Sequence, residues 1–131
     1  MYLRFVTERR TEHGSRREGF FQAVALARRD PETPGYLHDR LTALLGWFID
    51  NLDEPERFNR GSLKTGHRAT TTGLSWFRSE ATEHVKNAFE LCGILHELGY
   101  PITVLKTNRP GFIVYEDDHQ IVAEPFADTP T

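Results

Sequence analysis

Between Leu37 and Leu52, the residues Leu37, Leu41, Leu44, Leu45, Phe48 and Leu52 recur at helical intervals. At about 100° per residue they share one narrow face, so the stretch predicts an amphipathic helix with a stripe to bury. Thr33-Pro34 supplies an N-cap and a first-turn proline, and Asp53-Glu54-Pro55-Glu56 breaks the pattern. A helix of this kind needs a partner surface, and the rest of the chain offers one.

Tyr2, Leu3, Phe5 and Val6, interrupted only by Arg4, read as a first strand, and a polar loop to Gly14 follows. Ser15-Arg16-Arg17-Glu18 fits a capping box and predicts a helix from Ser15 to Asp30-Pro31, with Phe20, Ala23, Val24 and Ala27 inward. A third helix is expected from Ser75 to Gly99, which takes the C′ position with Pro101 beyond it. Its stripe is Phe77, Ala81, Val85, Ala88, Cys92 and Leu95, and the wheel places His84 inside that stripe.

Extended runs at 102–107, 112–116 and 120–126, joined by Arg109-Pro110-Gly111 and by Asp117-Asp118, predict a three-stranded antiparallel meander. The order is therefore an N-terminal strand, three helices and the meander. It argues an α+β fold in which one sheet carries the helices on one face. Residues 1–126 are expected to form a single domain, with 127–131 as a flexible tail.

The length of 131 residues suits one core. The net charge of -3 gives no global attraction to nucleic acid or an anionic membrane, so any such contact needs a local basic patch. The single cysteine, Cys92, cannot form an internal disulfide and reads as a buried thiol. No run approaches the roughly 20 apolar residues of a membrane span, which points to a cytoplasmic chain without membrane partners.

The sharpest asymmetry lies between Arg57 and Arg78, which holds Arg57, Arg60, Lys64, Arg68, Arg78 and His67 and no acidic residue. Cations among glycines and hydroxyls suit phosphates or an acidic protein face. The spacing is not that of a phosphate-binding Walker loop. Arg16 and Arg17, beside an expected helix start, offer a second anion-binding element. No second half completes a metal site around His84, so neither metal nor cofactor is expected. Tyr36, Arg40 and Trp47 form a stripe beside the leucine face of the second helix, with the residue types that dominate protein interfaces.

The run Phe112-Ile-Val-Tyr-Glu-Asp-Asp-His-Gln-Ile-Val-Ala123 resembles the closing hairpin of RelE-type bacterial mRNA-cleaving toxins, whose order is also strand, helices, meander. The resemblance implies an RNA-directed enzyme. The chain departs from that family in its acidic balance, its third long helix and its lack of a basic or aromatic C-terminal end.

Three functions follow. The first is a binding module that meets an acidic protein or nucleic acid through the 57–78 segment. The second is a small RNA- or nucleotide-directed enzyme, with His67 or His84 as acid/base, Arg68 and Arg109 on phosphate charge and Glu116 nearby. The third is a structural homo-oligomer, such as a homodimer through the Tyr36, Arg40, Trp47 stripe.

Overall fold

The computed structural model describes residues 1–10, 16–55 and 73–131. In chain order these form β1 (Tyr2–Arg10), β2 (Arg17–Gly19), α1 (Phe20–Arg29), α2 (Gly35–Asn51), β3 (Leu74–Arg78), α3 (Thr82–Glu97), β4 (Thr103–Thr107), β5 (Phe112–Glu116) and β6 (Gln120–Glu124). The fold is α+β, an antiparallel sheet with helices packed on it. No helix among the described residues is long and apolar enough to cross a membrane.

β1 organises the sheet. Val6 pairs with both Thr103 of β4 and Gly19 of β2, and Leu3 pairs with both Lys106 of β4 and Phe77 of β3. A strand residue has one partner per edge, so β4 fills one edge of β1 while β3 and β2 share the other. Beyond β3 lie β6 and then β5.

This arrangement corrects the expected meander: β5 and β6 form the hairpin, but β4 pairs with β1 rather than with β5. Neighbours in sequence are the usual partners, and the sequence pattern carries no sign that β1 would compete for β4. β4 and β5 nevertheless stand only a short link apart. On a flat sheet they would be separated by about 19 Å, four strand spacings. The link from Thr107 to Phe112 reaches at most about 18 Å and must also cross from one end of the ladder to the other. The sheet therefore curls. Its concave side gathers Val6, Trp76, Leu105, Ile121 and Ala123 from four strands into one cluster.

The convex side carries the helices. Leu3, Phe5 and Phe77 meet Phe20, Val24, Leu41, Phe48, Leu91 and Leu95 in the main core. The stripe expected of the first helix, Phe20, Ala23, Val24 and Ala27, is the buried face of α1. The helix begins at Phe20 rather than Ser15, because Arg17 and Gly19 pair with Arg10 and Val6 as a strand; Ser15 lies outside the described residues. A local capping pattern carries no information about that long-range ladder.

The third helix is likewise shorter than expected. Leu74–Arg78 is a central strand between β1 and β6, and α3 starts at Thr82. Both faces of β3 are covered, Trp76 by the concave cluster and Phe77 by the helices, so the strand shows no alternation of apolar and polar residues. Phe77 also stands four residues before Ala81 and thereby extends the helical stripe. The C-terminal end is as expected: Gly99 takes φ 89°, its N–H bonds the His96 carbonyl (3.1 Å), and the Tyr100 N–H bonds Leu95 (2.8 Å).

Candidate functional site

β1 and β3 are paired only at Tyr2–Arg78 and Leu3–Phe77. Past that point they splay, and β2 takes over the β1 edge at Val6. The stretch left open by the splay, with Arg4 and Phe5 on one side and Leu74, Ser75 and Trp76 on the other, forms one wall of a cavity of about 440 Å³, and residues of α1 and of the second half of α2 form the opposite one. That volume falls within the range of small-molecule sites. Its apolar lining combines Phe21, Leu45, Ile49, Leu52 and Leu74 with the more deeply buried rings of Phe5, Phe20, Phe48 and Phe77. Asp53, Glu54 and Pro55, just past α2, form another part of the lining.

Two groups in this lining belong to the concave side of the sheet. Arg4 is buried, and its Nη2 donates to the Arg17 carbonyl at 3.0 Å. Trp76 is 1% exposed, and its indole N–H has no hydrogen-bond partner among the described residues. A buried indole normally finds an acceptor.

A second cluster sits where the end of α2, the start of α3 and the β5–β6 turn meet. His84 is buried, as its place in the stripe predicted. Its Nε2 lies 2.7 Å from the Asn51 carbonyl, a contact that requires the ring to donate there. His119 stacks on it at 4.1 Å and Trp47 meets it edge-on at 4.8 Å. Asp117 anchors the turn, accepting from the backbone of His119 (2.8 Å) and Gln120 (3.0 Å), from the Tyr115 hydroxyl (2.9 Å) and from the Gln120 side chain (3.1 Å). Burial pushes its carboxyl pKa up, but these hydrogen bonds outweigh it and hold the group below the usual value. Donating to Asp117 raises the pKa of Tyr115 in turn.

The described residues among those singled out from sequence do not meet at one point. Arg57, Arg60, Lys64, His67 and Arg68 lie outside the described residues. Arg78 donates from Nη2 to Glu116 (2.9 Å) and from Nε to the Asp117 carbonyl (2.8 Å). Arg109 pairs instead with Asp128 (3.4 Å) and lies over the Phe126 ring (5.3 Å). Arg109 precedes β5 and Glu116 ends it, so the pair read as flanking one site is divided by the length of a strand. Arg17 bonds the Thr131 carbonyl through its backbone N–H (3.0 Å), with its Nε at 3.5 Å from the same oxygen; Arg16 stands beside it at the entry to β2.

On α2, Arg40 reaches Glu90 of α3 (3.3 Å), Trp47 packs on Phe48 and His84, and Tyr36 stays exposed. Cys92 is buried, and burial pushes its thiol pKa up to about 12, so it carries no thiolate near neutrality. Among the described residues no group of three or more His, Cys, Asp or Glu side chains is placed to hold a metal ion.

The cavity itself was not legible in the sequence. Its signal would have been the splay of β1 from β3, which depends on recognising β3 as a strand. No family model, curated protein or solved structure matches the chain.

Proposed function

We propose that this chain is a binding module that engages an acidic partner through the basic segment from Arg57 to Arg78. One observation carries the reading. Pro55 and Leu74 flank residues 56–73 and line the same cavity, so the run of cations that holds no acidic residue starts and ends at one concave surface. Arg78 is engaged with Glu116, which leaves Arg57, Arg60, Lys64 and Arg68, with His67, as the groups to test, and Arg16 and Arg17 after them.

The enzyme alternative has less support, because His84, Arg109 and Glu116 each have a partner of their own and Arg109 lies a strand's length from Glu116. An interface through Tyr36, Arg40 and Trp47 would rest mainly on Tyr36, since the other two already contact α3.

The test replaces Arg60, Lys64 and Arg68 together with Ala, then compares thermal unfolding and salt-dependent binding to an acidic protein, RNA and DNA. Exposed cations contribute little to stability, within about 0.5 kcal/mol each, whereas each phosphate contact adds to a salt-dependent affinity. The expected result is unchanged unfolding with lost binding. Wild-type binding by the variant to every candidate would refute the reading.

A further inference from the structure

We propose that the outer edge of β5 is the contact through which two copies of this chain pair, antiparallel and about a two-fold axis at Val114. This goes beyond the partner reading and uses different residues.

Among the described residues three strands, β2, β4 and β5, end the sheet with no neighbour on one side. Such an edge presents unpaired N–H and C=O groups to any other strand, and chains ordinarily blunt it by shortness or by charge. β2 is only three residues long, and β4 exposes Thr103 and Lys106 while Val104 and Leu105 are withdrawn. β5 does the reverse. It exposes Phe112 by 60% and Ile113 by 40%, and its one acid, Glu116, is tied to Arg78 (2.9 Å).

The two exposed apolar groups stand on opposite faces of the sheet. Ile113 is opposite Ala123, on the concave side, and Phe112 is opposite Glu124, on the other. The bulge at Val114 keeps that division, since Tyr115 and Glu116 then meet Val122 and Ile121. A partner lying on one face would cover one of the pair and leave the other in water, whereas a strand added to the edge flanks both. Phe126, beyond the end of β6 that faces Phe112, is 42% exposed and widens the apolar surface there.

Charge selects a second copy as the added strand. The segment is cationic before β5, at Arg109, and acidic at and after its end, at Glu116, Asp117 and Asp118. Antiparallel pairing about Val114 sets Phe112 of each copy against Glu116 of the other and Ile113 against Tyr115, and it brings Arg109 beside Asp118 of the other copy. Parallel pairing would set acid beside acid. The two-fold makes every contact twice, as in the commonest kind of homodimer. The pair that Arg109 now forms with Asp128 (3.4 Å) is exposed on both sides and weak enough to yield.

The test is sedimentation velocity of the full chain over a concentration series, with hydrogen exchange at its two ends. The mass should rise from one chain to two, and the amides of 112–116 should gain protection with concentration while those of β4 do not. Arg109→Glu and Asp118→Arg should each weaken the dimer about tenfold, and the two together should restore it with the signs exchanged. Val114→Cys should cross-link on treatment with diamide, because paired Cα atoms stand about 4.5–5.5 Å apart, within disulfide reach; Phe112→Cys, about 13 Å from its copy, should not. Cys92 is buried and does not compete.

A chain that stays monomeric at every concentration overturns the proposal. So does a dimer whose β5 amides exchange as in the monomer, or one that the double charge variant fails to restore, since the contact then lies elsewhere. Protection of β5 that appears with an acidic protein partner but not with concentration gives the edge to a foreign strand and overturns it too. The wild-type measurements decide even if a variant does not fold. Because the Arg60, Lys64 and Arg68 variant keeps every residue of this edge, it should dimerise as the wild type does, and the two readings fail separately.

Discussion

Asp117 is one carboxylate holding a whole turn. It accepts from two backbone amides, a phenol and a side-chain amide. Replacing it with Ala leaves those donors to water and should lower stability at neutral pH by about 1.5–3 kcal/mol, the range for hydrogen bonds to a charged group. Because the folded pKa is depressed, this contribution is complete above the ordinary carboxylate value and is lost as pH falls through the folded one. Urea midpoints of wild type and Asp117→Ala should therefore differ at pH 7 and converge in acid; a constant gap down to pH 2 would contradict the assignment. Gly111 poses a steric case. Its φ is 134°, and a Cβ there would fall on the Glu124 carbonyl, across the start of the β5–β6 hairpin. Gly111→Ala should cost at least about 2 kcal/mol by chemical denaturation, more than a simple backbone mismatch, since strand β6 cannot withdraw from β3 to relieve it.

Among the elements, those whose signal is local were legible in the sequence. α2 shows it in its apolar spacing, α3 in the Gly99 stop, and β5 and β6 in the Asp117 turn. What escaped was decided by distant partners: β2 is a strand because β1 pairs with it, and β3 because β1 and β6 do. The inward position of His84 was legible for the first reason, while its acceptor, the Asn51 carbonyl at the end of α2, was not. That bond ties the first turn of α3 to the last turn of α2. Substituting Ala would orphan the carbonyl and remove a ring packed on Trp47 and His119, a loss of about 2–4 kcal/mol. Hydrogen exchange gives the direction: protection should fall first in the last turn of α2 and in the β5–β6 turn, with β1 and β4 unaffected. A uniform fall across the sheet would show that the contact is not local.

At the scale of the molecule, the curl of the sheet leaves β2 as a short strand at an edge, held to β1 at Val6 and Arg10. The C-terminus completes that corner. Thr131 accepts from the Arg17 backbone (3.0 Å), while Thr129, buried, donates its hydroxyl to the Arg109 carbonyl (3.3 Å) and accepts from the Phe126 N–H (3.0 Å). Composition alone makes residues 127–131 a tail; these bonds make them a strap from the β4–β5 link to β2. The cavity shares the same ground, because Gly19 of β2 and Arg4, bonded to Arg17, both line it. Deleting residues 127–131 should therefore cost roughly 1–2 kcal/mol, about two modest hydrogen bonds after their ordering entropy. For a chain of this size that corresponds to a fall of several degrees in Tm. It should also loosen β2, seen as faster exchange of the Gly19 amide, before the core is affected. An unchanged Tm and unchanged Gly19 exchange would mean that the last five residues behave as a tail after all.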